Sequence, residues 1–206
     1  MSNIKALKQR IVSVIKTRKM TQAMKMVSAA KFKRAAKKSA NIRAYSDGKQ
    51  AVLTDLISRI EPDFMPTLFL DNKVGKEVII IITSDRGLCG GFNNSVIRSA
   101  EKYLKSVSVD TQLILFGKKA CSYFKNKNWE IIGKYPYFLQ DINYEKVELA
   151  LDEIITNFKN KKIGKVLLFH NLFTRGLSSE LVCKQLLPIE INENVIIHSH
   201  VNITGH

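Results

Sequence analysis

Residues 77–93 read EVIIIITSDRGLCGGFN and combine three structural signals in one short stretch. The run 77–84 contains five consecutive β-branched apolar residues at 78–82, which is typical of a strand buried on both faces of a sheet. A glycine-rich turn over residues 85–91 follows it, and from 92 to 106 apolar residues return with helical spacing. The stretch therefore predicts the first strand and first crossover helix of a parallel sheet.

The rest of the C-terminal part continues this alternation of strands and helices. Apolar runs predict further strands at 111–116, 129–132, 163–173 and 181–189, and helical patterns cover 118–127 and 143–159. Strands that alternate with helices in this way predict an α/β domain with a Rossmann-like, mainly parallel sheet.

The first fifty residues carry almost all of the net charge. They contain fourteen Lys and Arg residues against one acid, Asp47, which gives +13 of the +15 of the whole chain. No Pro or Gly occurs before Gly48. The pattern predicts one helix from Asn3 to Ile60, which would be roughly 85 Å long.

This helix has a narrow apolar seam. Ile4, Leu7, Ile11 and Val14 follow a spacing of three and four, and the rhythm resumes at Met20, Met24 and Val27. The phase slips between Val14 and Met20, which predicts a locally distorted supercoil. So long a helix with so narrow a seam requires a partner helix, and the free chain is expected to self-associate or fray along residues 4–27.

The junction between helix and sheet domain lies in residues 61–76, because Pro62, Pro66 and Gly75 break helix and strand alike. The expected organisation is a shaft helix over 1–60, a linker over 61–76 and an α/β domain over 77–206.

The basic helix admits three interpretations: a solvated face of a coiled coil, a binder of nucleic acid or anionic membrane, and a shaft inside an acidic or apolar sleeve. Few aromatic residues interleave with its charges, which argues against nucleic acid.

The glycine-rich turn could hold phosphate at a helix N-terminus, but it matches neither GxGxxG nor the P-loop pattern. Gly90 and Gly91 could equally allow a tight turn and close helix–sheet packing. A nucleotide-binding α/β enzyme with a basic helical arm is therefore the alternative interpretation. The sequence offers no catalytic set, no metal-ligand cluster and no cofactor motif, and Cys89 has only Asp85 near it as a base.

Two segments resemble a known family. Residues 17–31, TRKMTQAMKMVSAAK, closely resemble the N-terminal helix of the gamma subunit of F-type ATP synthase, and residues 83–93, TSDRGLCGGFN, resemble its strand–loop–helix signature. The resemblance covers about residues 1–197. It implies a rotor shaft without an active site of its own, which couples proton flow through a membrane ring to ATP synthesis in the catalytic head.

The resemblance also implies partners and a location. Met20, Met24, Lys25 and Met26 would meet the alpha and beta subunits of the head, with Met24 at an acidic loop; simple seam packing is the alternative for Met24. Arg86 would pair locally. The complex would sit on the cytoplasmic side of a bacterial inner membrane, as a peripheral assembly. The foot of the shaft would bind the epsilon subunit and the membrane c-ring through Asp85, Arg86, Gly87, Cys89, Gly90 and Gly91.

Members of this family usually continue into a second long helix that runs antiparallel to the first. The present sequence stops at His206, so we expect the C-terminal antiparallel helix to be absent. Three explanations remain open: a truncated product, a second helix encoded separately, and a different helix that fills the seam.

Overall fold

The computed structural model describes residues 2–73, 75–140, 142, 144–173 and 179–190. The chain divides into two compact units, Met1–Ile60 and Glu61–His206. The first unit contains helix α1, Ser2–Ser58, which agrees with the prediction to within two residues. Gly48 lies inside this helix, and a Cβ built on it would meet nothing within 4 Å.

The second unit begins with two short 3-10 helices, Pro62–Phe64 and Thr67–Phe69. The segment is attached to the sheet that follows, because the Ile189 amide donates to the Leu68 carbonyl (2.8 Å) and the Asn72 side chain donates to the Ile163 carbonyl (2.8 Å). The predicted domain boundaries at residues 60 and 76 stay a prediction.

Within the described residues, a five-stranded sheet with three α-helices forms the body of this unit. The strands lie in the order β3-β2-β1-β4-β5; β1 is parallel to β2 and β4, β2 is parallel to β3, and β5 is antiparallel to β4. The predicted mainly parallel α/β sheet is confirmed. The elements are β1 Lys76–Ile82, α2 Phe92–Ser106, β2 Thr111–Phe116, α3 Lys118–Phe124, β3 Glu130–Tyr135, α4 Tyr144–Lys159, β4 Ile163–Phe173 and β5 Ser179–Leu187.

Both faces of the sheet are covered, which explains why β1 is apolar at successive positions. Ile79 and Ile81 pack in a cluster that includes residues of α2 and α3, such as Leu104 and Phe124. Val78 and Ile80 point the other way, into a cluster that includes Phe158 of α4 and other α4 residues. Packing on both faces holds β1 in the centre of the sheet. The glycine-rich loop that follows β1 is therefore fixed at its N-terminal end.

The expected absence of a C-terminal antiparallel helix concerns the end of the chain. Residues 191–206 lie outside the described residues.

Candidate functional site

The corner between β1, α2 and α3 begins at Thr83, which is buried. Its amide donates to the Phe116 carbonyl (3.0 Å), and its hydroxyl oxygen accepts a hydrogen bond from the Ala120 amide (2.8 Å). Gly117 lies directly against it with φ +90°, and a Cβ there would overlap the Thr83 carbonyl. The ends of β1 and β2 are therefore joined by backbone contacts that leave no room for a side chain.

Asp85 connects three separate segments. One of its oxygens, Oδ1, accepts hydrogen bonds from the Lys118 amide (2.8 Å) and the Tyr137 amide (2.9 Å). The first of these amides opens α3, and the second belongs to the turn after β3. Asp85 thus has an internal structural role beside the partner contact expected for it, and that contact stays a prediction.

The side chain of Asn93, in the first turn of α2, connects the loop to this helix through hydrogen bonds. Its Oδ1 accepts from the Ser84 amide (2.8 Å), and its Nδ2 donates to Cys89 Sγ (3.0 Å) and to the Arg86 carbonyl (3.3 Å). Ser84 Oγ also donates to the Arg86 carbonyl (2.7 Å). Sequence reasoning did not single out Asn93 as a site residue; its signal is an amide side chain on the inner face of a helix that is otherwise apolar.

The outer side of this loop is exposed from Arg86 to Gly91. At its apex Leu88 is 98 % exposed and has φ +61°, which is an unusual backbone conformation for a branched residue. Gly90 has φ +57°, and a Cβ at Gly90 or Gly91 would meet nothing within 4 Å. Gly90 therefore allows the tight turn that the sequence predicts. Close helix–sheet packing, the other structural role expected for Gly90 and Gly91, is not observed.

Arg86 forms no ion pair within the ranges that the structure describes. The local pairing expected for it is therefore not observed. An exposed guanidinium on a loop that is held by internal hydrogen bonds is available to a partner.

The same hydrogen bonds weigh against nucleotide binding. The polar side chains at the corner, Thr83, Ser84, Asp85 and Asn93, all bond to groups of the chain itself. A phosphate site would need donors directed outward, and the Phe92 amide at the start of α2 already donates to the Cys89 carbonyl (3.3 Å).

The three cysteines have different surroundings, and we predict that Cys89 is the fast-reacting thiol. Cys89 is exposed, while Cys121 and Cys183 are half-buried. Burial raises the pKa of Cys121 and raises that of Cys183 to about 11. Because the thiolate is the reactive form, Cys183 should react with a maleimide at neutral pH at least about 100-fold more slowly than Cys89. Peptide mass spectrometry over a labelling time course measures this.

The matched control is Cys89→Ser, which should remove the fast phase and leave the slow phases unchanged. A fast phase that persists in this variant would contradict the assignment. For Cys183 the labelling rate should rise about tenfold per pH unit and level off only near its raised pKa.

Helix α1 presents two apolar stripes on opposite faces. Given about 100° of rotation per residue, the side chains of residues 4, 7, 11, 14 and 15 project within about 100° of each other. Met20, Met24 and Val27 project about 190° away from the centre of that first stripe. All eight side chains are exposed.

Residues 2–58 form one uninterrupted α-helix, so the helix itself is not broken between Val14 and Met20, and the distortion of the supercoil stays a prediction. The phase slip appears as a change of face. Two hydroxyls in the slip region bond along the helix, from Thr17 to the Ser13 carbonyl (3.0 Å) and from Thr21 to the Thr17 carbonyl (3.0 Å). The exposed seam expected along residues 4–27 is confirmed, as two separate stripes, and self-association through it stays a prediction.

The four head-contact residues predicted from resemblance do not share one face. Met20 and Met24 lie one turn apart on the second stripe, whereas Lys25 and Met26 project about 100° and 200° further round. All four are exposed. None of the described helices combines the length and apolar character needed to cross a bilayer.

Comparisons with known proteins place the chain in a family. The protein family described as ATP synthase matches residues 3–204. The ATP synthase gamma chain of Geotalea daltonii is 34 % identical over 192 residues, which cover 92 % of this chain and 66 % of the relative. The gamma chain of Gloeothece citriformis is also 34 % identical, over 92 % of this chain and 62 % of its own length. The chain belongs to the ATP synthase gamma-chain family.

The gamma-chain relatives are longer than this chain, which spans about two thirds of their length. A solved structure supports the fold: the central stalk and c-ring of the mitochondrial ATP synthase of Tetrahymena thermophila contains a chain that superposes with a TM-score of 0.59. The match covers 82 % of this chain and 72 % of that chain at 24 % identity. The long helix followed by a sheet is thus an arrangement that this chain shares with a chain of that central stalk.

Proposed function

We propose that this chain is the central-stalk rotor subunit of an ATP synthase. In this role it couples proton flow through a membrane ring to ATP synthesis in the catalytic head and performs no catalysis itself. Membership of the gamma-chain family over residues 3–204 is the observation that carries the proposal. The fold agrees with it, because a shaft requires a stiff element and α1 is an uninterrupted helix of 57 residues.

The surface of α1 suits a rotor in a sleeve. Two opposite stripes allow a second helix to pack on one face while the other meets the surrounding subunits. Exposed ion pairs contribute only about 0–1 kcal/mol each. Basic side chains on α1 can therefore form and break contacts with acidic segments of the head at each step without a deep energy minimum.

The partners follow from this role. The alpha and beta subunits of the head would meet Met20 and Met24 on the second stripe, and Lys25 and Met26 where the head also surrounds the other faces of α1. The exposed loop from Arg86 to Gly91 would contact another subunit of the complex, for which the resemblance names epsilon and the c-ring. Asp85 and Asn93 would hold that loop in shape. The assembly would be peripheral, on the cytoplasmic side of a bacterial inner membrane.

Co-expression of the chain with its own alpha and beta subunits tests the proposal. The three chains should co-purify, and ATP hydrolysis should exceed that of alpha and beta alone by at least about tenfold, since the rotor sets the sequence of conformations in the head. Met20→Asp with Met24→Asp should lower this activity strongly. Asn94→Asp, on an exposed position of α2, is the control and should leave it unchanged.

The alternative, a nucleotide-binding enzyme with a basic arm, makes the opposite prediction. It requires the isolated chain to retain ATP or another nucleotide in a stoichiometric complex. A chain that retains nucleotide and does not associate with alpha and beta would contradict the rotor.

A further inference from the structure

The first stripe of α1 has a basic border on both sides. The stripe consists of Ile4, Leu7, Ile11, Val14 and Ile15, whose side chains are between 48 % and 66 % exposed. On one side Lys8 and Lys19 project within about 50° of its edge, and on the other side Arg10 does. Lys5 and Lys16 lie further round on the first of these sides. Arg10 is the single cation on that second side, and Arg18 projects from the stripe itself one turn beyond Val14. The segment 4–19 is therefore an apolar strip with cations on both sides and one at its C-terminal end.

No acidic residue interrupts this arrangement. The first acid in the sequence is Asp47, more than six turns beyond Lys19. All six charged residues of segment 4–19 are Lys or Arg, and its remaining polar side chains, Gln9, Ser13 and Thr17, are neutral. The occupant with matching chemistry has a continuous negative charge above an apolar layer.

We propose that segment 4–19 of the free chain binds the surface of an anionic lipid bilayer, with the first stripe in the acyl boundary and the basic borders among the headgroups. Lys and Arg side chains are long enough to keep their charges at the headgroups while their stems cover apolar surface. Anionic headgroups then attract every cation of the borders. Nucleic acid fits the charges but offers no apolar layer for five aliphatic side chains.

This inference goes beyond the rotor and does not depend on it. A second helix on the first stripe excludes lipid, so membrane binding belongs to the chain before that stripe is covered. The second stripe provides an internal comparison: Met20, Met24 and Val27 face the other way and should stay out of the bilayer.

Vesicle flotation with the full chain tests the proposal. Vesicles of phosphatidylcholine with about one-third phosphatidylglycerol should bind the chain, and pure phosphatidylcholine vesicles or high salt should release it. Leu7→Ser with Ile11→Ser should weaken binding at least about tenfold, because two buried aliphatic side chains are lost. The matched control, Met20→Ser with Met24→Ser, removes two apolar side chains at the same net charge and should bind like the parent. Circular dichroism checks that both variants remain helical.

Depth is measured with a tryptophan at each stripe. Ile11→Trp should be quenched by brominated lipids, whereas Met24→Trp should not be quenched above the shared background of Trp129. Absence of vesicle binding would overturn the proposal. So would equal binding of both double variants together with equal binding to duplex DNA, because the interaction would then be one of charge alone. Equal quenching at positions 11 and 24 would overturn it as well.

Discussion

Gly117→Ala should unfold the sheet unit or lower its free energy of unfolding by about 4 kcal/mol or more. The reason is a contact between backbones: a Cβ at Gly117 would overlap the carbonyl oxygen of Thr83, which is the end of β1. Gly117 also has φ +90°, a backbone conformation that alanine rarely adopts. Its amide donates to the Tyr135 carbonyl (3.1 Å), so moving the backbone away from Thr83 would break this hydrogen bond. Urea unfolding followed by the fluorescence of Trp129 measures the effect, since Trp129 packs against one of the clusters of this unit.

Two other glycines give graded controls. Gly90→Ala should cost only about 1–2 kcal/mol, because Gly90 has φ +57° but open space around it. Gly48→Ala, inside α1 with nothing within 4 Å, should stabilise the helix by about 0.5–1 kcal/mol and leave the Trp129 transition where it is. A Gly117→Ala protein that unfolds at the urea concentration of the parent would show that the sheet does not close at this point.

Asn93→Leu should lower the free energy of unfolding of the sheet unit by about 2–4 kcal/mol. The leucine has the same number and branching of side-chain heavy atoms but is bulkier and cannot bond to Ser84, Arg86 or Cys89, and the Ser84 amide loses the acceptor 2.8 Å away. The loop should also open, so amide exchange over residues 84–90 should become faster than in the parent. Hydrogen exchange with mass spectrometry measures this locally.

The control is the neighbouring Asn94→Leu. Asn94 is exposed, so this change should stay within about 0.5 kcal/mol and leave exchange in the loop unaltered. Equal effects of the two substitutions would mean that Asn93 does not hold the loop.

The elements of the sheet follow closely from local patterns. The strands at 111–116 and 163–173 were predicted with the observed limits, because continuous apolar runs flanked by breakers define them. The edge strand β3 extends to Tyr135, three residues beyond the prediction, since Gly133 and Lys134 have no strand signal of their own and pair because β2 lies beside them. Helix α3 ends at Phe124, before the predicted Lys127.

The sequence predicts a turn at the end of β1 but not the hydrogen bonds that hold this turn in place. The acceptor Asp85 meets amides that lie 33 and 52 residues further along the chain, and no local pattern contains such distances. The opposite stripes of α1 were present in the spacing of Val14 and Met20. Their separation depends on a helix that continues through the phase slip, and the spacing of the apolar residues alone does not establish that continuity.

Rotation within an assembled complex tests the rotor most directly. The alpha and beta subunits would be fixed to a surface and a bead attached to the exposed thiol of Cys89, because Cys121 and Cys183 are half-buried and expected to react more slowly. The rotor predicts continuous rotation in one direction on addition of ATP, at a speed that follows the ATP concentration. ATP hydrolysis by the complex with a bead that does not rotate would contradict the account.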